Sequence, residues 1–264
     1  MEKFDQIINI ENFEKNSFNW HKKKPFPHFV VDNFFHPDVA KKLENDFPEY
    51  DDSIWHTYEN SIEVKKVCNN WNAFPKNTYL AFSLLNSLNF VNYLQEKLFS
   101  NLKLYADPGL NGGGWHIHSN GGKLNTHLDY SIHPKLFLQR KININIYLNS
   151  NWKKNWGGGL GLWGNESKEA PGPLEKEIEP KFNRAVVFDT TCNSWHGLPT
   201  PLTCPKGESR KSLAVCYLSL PIGEVDSRGK ALFAPTDEQK EDSKVLELIK
   251  LRADTKTASK VYKK

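Results

Sequence analysis

From about residue 101 the chain consists of short extended segments separated by turns, and this pattern restricts the fold more than any other feature. Residues 141–148 alternate strictly between apolar and polar side chains, as a half-buried strand does. Further strands are predicted at 115–118, 185–188 and 213–218, with turns rich in glycine, asparagine and proline between them. Many short strands with such turns indicate a sandwich or a double-sheet jelly roll.

Helical patterns flank this strand-rich region. Pro37 and Asp38 fit the first turn of a helix, because proline lacks only an N–H that is unpaired there and a carboxylate suits the helix dipole. Apolar residues at helical spacing predict one or two helices within 77–98, and a further helical stretch is predicted within 236–252.

The fold class expected from these patterns is therefore mainly β with flanking helices (α+β). We expect one catalytic domain over 1–264, composed of a helical support region, a jelly-roll core and a helical C-terminal extension: 1–100, 101–222 and 223–264.

Composition excludes several classes of partner. The net charge is only +4 and the lysines are scattered, so no basic stripe for nucleic acid is apparent. No apolar run approaches the length of a membrane span, and the first residues lack a signal-peptide pattern. The four cysteines form no C-x-x-C pair, which favours reduced thiols. A cytoplasmic protein with no nucleic-acid or membrane partner is expected.

Three residues have the chemistry of a metal site. His127 and Asp129 are two apart in an extended segment, so their side chains share a face. His196 follows a later strand and could supply a third ligand. Two imidazoles and one carboxylate with open positions form the ligand set of non-haem Fe(II) oxygenases. The open site also permits a zinc hydrolase, although no nearby side chain is an evident general base.

The other histidines compete with this set. His116 and His118 share a face of an earlier strand and could line the same cavity. His133 precedes a proline and is expected in a loop. Ordinary structural or surface positions are expected for four more: His21, His28, His36 and His56.

A cationic anchor is predicted near the end of the core. Arg210 and Ser212 are two apart and face the same way. A guanidinium binds a carboxylate through two hydrogen bonds, and the hydroxyl can donate another. Tyr147 could add its phenol, although a core position is equally consistent with its pattern. The expected ligand of this group is a dicarboxylate.

The chain resembles the Fe(II)/2-oxoglutarate dioxygenases, in particular their prolyl 4-hydroxylase-like branch. The resemblance runs from roughly residue 112 to 220. Besides the residues above, it rests on four stretches: 146–149, 156–160 with its paired glycines, 178–184, and 210–214 with its Arg-x-Ser pattern. The opening 25–29 is also similar to bacterial and viral members.

This resemblance implies a double-stranded β-helix (jelly roll) core supported by N-terminal helices. It implies that His127, Asp129 and His196 bind Fe(II), and that Arg210 binds the distal carboxylate of 2-oxoglutarate. Ser212, Tyr147 and His118 are implied as helpers, with His116 as the alternative to His118. The implied reaction uses O2 to hydroxylate an unactivated C–H bond and releases succinate and CO2.

Neither the fold class nor the metal ligands specify the substrate. A prolyl residue or a free amino acid is expected by family analogy, and a glycan or sugar-linked metabolite is the alternative, so the partner is a small molecule or a peptide. A non-catalytic jelly-roll binding module would explain the strands but not Arg210 with Ser212. Five tryptophans could line a cleft or pack in the core: Trp115, Trp152, Trp156, Trp163 and Trp195.

Overall fold

A computed structural model describes residues 3–261 of the chain. Fourteen strands lie within these residues: β1 (His28–Val31), β2 (His56–Glu59), β3 (Glu63–Cys68), β4 (Leu104–Ala106), β5 (Gly114–His118), β6 (Lys123–Leu124), β7 (His127–Leu128), β8 (Gln139–Tyr147), β9 (Leu160–Asn165), β10 (Pro171–Ile178), β11 (Arg184–Asp189), β12 (His196–Gly197), β13 (Arg210–Ser219) and β14 (Leu232–Phe233).

Two antiparallel sheets form the core. The larger sheet has nine strands in the order β1-β11-β8-β13-β5-β3-β2, with β4 paired to β13 and β6 paired to β3. The smaller sheet has five strands in the order β10-β9-β12-β7-β14. The structure confirms the expected jelly-roll core, in which strands distant in sequence become neighbours.

Helices flank the larger sheet and follow the strand-rich region. The α-helices are α1 (Ile10–Ser17), α2 (Pro37–Asn45), α3 (Lys76–Leu85), α4 (Leu88–Leu98), α5 (Ser243–Ala253) and α6 (Ala258–Val261). The predicted helix at Pro37 is confirmed, with the proline at its start. The stretch 77–98 divides into α3 and α4, because Ser87 caps α4 by accepting a hydrogen bond from the Phe90 amide at 3.3 Å.

The main hydrophobic core lies between the larger sheet and the N-terminal helices. Trp115 of β5 is fully buried and packs against three aromatic rings of the helical side: Phe47, Trp55 and Phe74, at centroid distances of 5.3, 6.0 and 5.0 Å. These contacts fix one face of β5 on the helical layer. The other face of β5 is free to line the space between the two sheets.

Several strands were not predicted from the sequence, among them β2, β3, β10 and β14. β2 and β3 lie within 1–100 and extend the larger sheet, although that region was expected to be a helical support with one short extended piece at 29–31. β14 lies in the extension that was expected to be helical. β2 is a largely exposed edge strand, so its sequence lacks the apolar alternation by which strands are recognised. Among residues 3–261, no helix combines the length and apolarity required to cross a membrane.

Candidate active site

The three residues of the predicted metal site meet in the smaller sheet. β12 pairs with β7 so that His196 lies directly opposite His127, and their ring centroids are 4.3 Å apart. Asp129 comes one residue after β7 ends. Its Oδ1 is 3.9 Å from His127 Nε2, and its Oδ2 is 3.7 Å from His196 Nε2. One ligand atom from each residue lies within 4.8 Å of the others, which is close enough to share one metal ion.

Backbone carbonyls fix the orientation of both imidazoles. His127 Nδ1 donates to the Asn125 carbonyl at 3.0 Å, and His196 Nδ1 donates to the Ser194 carbonyl at 2.8 Å. Each ring therefore carries its proton on Nδ1 and presents an unprotonated Nε2 to Asp129. Such contacts set the tautomer of metal-binding histidines.

Two side chains of β8 contact the Asp129 carboxylate and fix its orientation. Asn143 donates to its Oδ2 at 2.7 Å, and Arg140 Nη2 is 3.5 Å from the same oxygen. Arg140 Nε also donates to the Asn143 side chain at 2.8 Å. Sequence reasoning missed both residues, although Arg140 and Asn143 are polar residues on a strand that was correctly predicted to be buried on one face.

The protonation states suit metal binding. Burial lowers the pKa of His127 well below its usual value, and the neighbouring His196 lowers it further. Burial also lowers the pKa of His196. Burial alone would raise the pKa of the Asp129 carboxyl, but Arg140 and the two imidazoles hold it well below its usual range. The site thus offers two neutral imidazoles and one carboxylate at neutral pH.

The predicted cationic anchor lies on β13, on the opposite wall of the space between the sheets. Arg210 is buried and donates from Nε to the Gly158 carbonyl at 2.7 Å. Its guanidinium lies 4.7 Å from the centroid of the Tyr147 ring. In register, Ser212 is opposite Tyr147 on one side and His116 on the other. The three predicted anchor residues are therefore brought together.

Several polar atoms around the anchor have no protein partner. Within the described residues, neither ring nitrogen of buried His118 has a hydrogen-bond partner, and nor does the Tyr147 hydroxyl. The register of β13 and β5 places His118 opposite Arg210. Buried polar groups are nearly always paired, so these unpaired atoms indicate a polar ligand between them. A dicarboxylate bound by Arg210 would satisfy them.

One cavity of about 300 Å³ contains all of these groups. It is lined by the metal triad, by Arg210, Ser212 and Tyr147, and by both His116 and His118. The five tryptophans considered above are not among its lining residues in the described chain, and Trp115 and Trp195 are fully buried in hydrophobic clusters. The tryptophans thus pack in the protein rather than form this cavity.

His133 lies in a loop, as predicted, but it is buried. Its Nδ1 accepts hydrogen bonds from the amides of Lys135 and Leu136, and its Nε2 is 3.5 Å from an Asp107 oxygen. His133 therefore supports the loop between Asp129 and β8 and is not part of the metal cluster.

Comparison with known proteins finds similarity in the segment that contains these residues. Residues 113–218 match the family model of the 2OG-Fe(II) oxygenase superfamily. This segment runs from β5 through most of β13 and so covers the greater part of the jelly-roll core. The matched segment contains the metal triad and the Arg210 anchor, and the superfamily takes its description from 2-oxoglutarate and Fe(II).

A relative among curated proteins is the prolyl 3-hydroxylase OGFOD1 of Xenopus laevis. The two sequences are 32% identical over 75 residues, which are 28% of this chain and 14% of the relative. The match therefore spans about one seventh of the relative's length.

Two solved structures share the fold over most of the chain. A prolyl-4-hydroxylase of Pseudomonas putida has a TM-score of 0.52 and 14% identity, with coverage of 81% of this chain and 97% of the other. A prolyl hydroxylase of Trichoplax adhaerens, in complex with a hypoxia inducible factor peptide, has a TM-score of 0.52 and 16% identity, with coverage of 80% and 90%. At these identities the likeness establishes the double-stranded β-helix fold.

Proposed function

We propose that this protein is an Fe(II)- and 2-oxoglutarate-dependent dioxygenase that hydroxylates an unactivated C–H bond. The observation that carries the proposal is one cavity with a His-Asp-His cluster on one wall and a buried arginine on the other. The first group fits Fe(II) and the second fits the distal carboxylate of 2-oxoglutarate. The presence of the His-Asp-His cluster and the buried arginine in one space favours an enzyme over a non-catalytic binding module.

The metal ligands in this proposal are His127, Asp129 and His196. These residues would hold Fe(II) through two imidazole nitrogens and one carboxylate oxygen, a ligand set that leaves the metal accessible to a cosubstrate and O2. Bound Fe(II) would supply the activation of O2. This chemistry would couple two reactions: the oxidation of 2-oxoglutarate, which gives succinate and CO2, and the hydroxylation of the substrate. Asn143 and Arg140 keep the carboxylate ionised and oriented.

Arg210 is proposed to hold 2-oxoglutarate, with Ser212, Tyr147 and His118 as its helpers. The Nε of Arg210 is fixed by the Gly158 carbonyl, so the remainder of the guanidinium fork points to its ligand with little freedom. Such preorganisation reduces the entropy lost on binding. The unpaired hydroxyl of Tyr147 and the unpaired ring of His118 support this placement.

We propose a prolyl residue or a free amino acid as the class of substrate, on the basis of the prolyl hydroxylase relatives.

The enzyme is proposed to be one catalytic domain over 1–264. The N-terminal third supplies strands to the larger sheet, and the C-terminal extension supplies β14 to the metal strand β7. A cytoplasmic location is also proposed, supported by four cysteines that are all free thiols.

The decisive test is anaerobic addition of Fe(II) and then 2-oxoglutarate, followed by aerobic measurement of succinate. We expect a weak visible charge-transfer band that needs both additions, and iron-dependent succinate formation. His127→Ala and Asp129→Ala should abolish both signals, because each removes one of three ligands. His21→Ala, at an exposed position outside the cavity, is the matched control. Undiminished succinate formation by the ligand variants would contradict the assignment.

A further inference from the structure

The cavity has a strong excess of positive charge. Its lining side chains include five cations, and Asp129 is the only carboxylate among them in the described chain: the cations are Lys65, Arg140, Arg210, Lys230 and Arg252. Arg140 is engaged by Asp129 and Asn143, and Arg210 is assigned to the cosubstrate. Neither the metal site nor the cosubstrate site accounts for the other three.

These three cations come from separate parts of the chain, and two of them, Lys65 and Arg252, pair with one acidic group. Glu63 is fully buried on β3; one of its oxygens is 3.3 Å from Lys65 Nζ, and the other is 3.3 Å from Arg252 Nε. Arg252 lies on α5, and Lys230 lies just before β14. One carboxylate among three cations leaves a net positive charge beside the cavity.

Lys230 contributes most clearly to the excess of positive charge beside the cavity. No carboxylate of the described residues lies within ion-pair distance of its ammonium group. Lys230 and Arg252 line the same cavity, where burial and then the Arg252 charge lower the pKa of Lys230. Bringing like charges together in a partly buried site is unfavourable unless an anion binds there.

The cluster lies beside the reacting positions. On β3, Lys65 pairs with Tyr58 of β2. The neighbouring residue Lys66 pairs with Ile117 of β5, so Lys65 lies at the level of His118. His118 is itself opposite Arg210 of β13. On the side of the smaller sheet, Arg252 of α5 lies over the Phe233 ring at 5.6 Å, and Phe233 stacks on His127 at 5.0 Å. The cations therefore approach the metal triad from both sheets.

We infer that the substrate carries a carboxylate or phosphate group, and that Lys65, Lys230 and Arg252 bind it while the reacting carbon faces the metal triad. This inference rests on the proposed dioxygenase function and specifies its substrate class. Lys65 and Arg252 are held by Glu63, so two of the three cations are positioned before the ligand arrives. Lys230 supplies the charge that Glu63 does not balance.

The first test measures anion binding without turnover. The protein is loaded with Mn(II) and 2-oxoglutarate, and inorganic phosphate is titrated while the phosphorus-31 relaxation rate is recorded. We expect a saturable enhancement, because phosphate at the cluster lies near the paramagnetic ion. Acetate, followed by carbon-13 relaxation, distinguishes a carboxylate site from a phosphate site. A saturable signal from either probe is the expected result.

Variants of the cluster make the binding test specific. Lys65→Gln and Lys230→Gln should each weaken the saturable signal at least tenfold, and Lys65→Arg should restore much of it. Lys66→Gln is the matched control, because Lys66 is adjacent on β3 but binds the Tyr50 carbonyl at 2.7 Å and does not line the cavity. Equal loss of signal in Lys65→Gln and Lys66→Gln would overturn the inference.

The second test uses matched substrates in the succinate assay. Candidates are compared in pairs that differ only in the charged group: proline with prolinamide, prolyl peptides containing glutamate with those containing glutamine, and phosphate esters with their alcohols. We expect the anionic member of a stimulating pair to have at least tenfold higher kcat/KM. Equal or better stimulation by the neutral members would overturn the inference.

The two proposals fail in different ways. Absence of Mn(II) binding or of iron-dependent 2-oxoglutarate turnover would count against the dioxygenase itself. A protein that binds metal and 2-oxoglutarate but gives no saturable signal with phosphate or acetate would refute only the anionic-substrate inference.

Discussion

At the scale of single residues, the site depends on side chains whose neighbours leave them one orientation. Gly158 is an example, since its carbonyl accepts the hydrogen bond from Arg210 and its own missing side chain makes room for that arginine. A Cβ at this position would lie 2.8 Å from Arg210 Cδ. Such a separation requires Arg210 to move.

We therefore expect Gly158→Ala to raise the apparent KM for 2-oxoglutarate at least tenfold. Gly157→Ala is a close control because both glycines have positive φ, +79° and +72°, and share the backbone strain of substitution. A Cβ at Gly157 meets nothing nearer than a Thr200 atom at 3.6 Å. Steady-state kinetics in varied 2-oxoglutarate should separate the two variants, and equal effects would show that strain alone is responsible.

The buried imidazole of His116 should make the folding stability of the protein depend on pH. Burial, followed by the charge of Lys65, lowers the pKa of His116 to about 3. An unfolded histidine titrates near pH 6.5, so between these values the unfolded state binds a proton that the folded state does not. The stabilisation is complete above about pH 6.5 and decreases as pH falls, by up to about 1.4 kcal/mol per pH unit for this residue.

Urea unfolding of the metal-free protein between pH 7 and 5 should show this slope. His116→Gln should reduce the slope, because it removes a group that binds a proton only after unfolding. His21→Gln, at an exposed position, should leave it as in the original protein. A slope unchanged by His116→Gln would mean that His116 is protonated equally in both states.

At the scale of elements, β14 connects the C-terminal extension to the metal strand. Its residues Leu232 and Phe233 pair with Leu128 and His127, and Phe233 also packs with Val245 of α5. The segment matched by the family model ends at residue 218, so this support lies outside it. The extension thus contributes to the orientation of a predicted metal ligand.

Phe233→Ala should weaken both the fold and the metal site. Removal of a buried phenylalanine costs about 3–5 kcal/mol, and here it also removes the ring stacked on His127. Leu246→Ala on α5 should change stability by no more than about 0.5 kcal/mol, because Leu246 is largely exposed. Denaturant unfolding and Mn(II) titration test the two effects, and an unaltered metal affinity in Phe233→Ala would separate β14 from the site.

Local patterns predicted some elements well and missed others for identifiable reasons. β8 was predictable because apolar and polar residues alternate from 141 onward and one face of the strand is buried. β7 and β12 are two residues long, and their pairing is decided by contacts between segments far apart in sequence. No local period can reveal strands this short, so His127 and Asp129 were identified by their chemistry together with their two-residue spacing.

At the scale of the whole molecule, the cavity requires both sheets and both ends of the chain. The smaller sheet supplies the metal triad, the larger sheet supplies Arg210, and Lys65 and Arg252 come from β3 and α5. Because the metal triad joins two strands of the smaller sheet, a bound ion should stabilise the entire fold. A ligand that binds only the folded state adds about 2.7 kcal/mol at one hundred times its dissociation constant.

Metal binding should therefore raise the melting temperature by about 5–10 °C at that concentration, given about 2–4 °C per kcal/mol for a chain of this size. Calorimetry with Mn(II), before and after removal by chelator, measures the change. Asp129→Ala should show no increase with metal, since it lacks one ligand of three. A similar increase in that variant would place the stabilising ion elsewhere.

The sequence by itself determined which side chains are available for metal binding and for carboxylate binding. Residue parity within strands put His127 with Asp129, and Arg210 with Ser212, on common faces, because successive side chains of an extended chain point to opposite sides. The jelly-roll class, the principal strands and the residues of both groups followed from that local geometry and from the family resemblance.

Only the tertiary structure decided which groups meet. The partnership of Asp129 with Asn143 and Arg140 and the cluster of Lys65, Glu63 and Arg252 join segments up to 189 residues apart. Neighbours along the chain do not reveal them, because strand pairing and burial set the distances and charges between such residues. The residues of the proposed metal site could therefore be predicted from the sequence, whereas the cluster of Lys65, Lys230 and Arg252 beside it forms only in the folded protein.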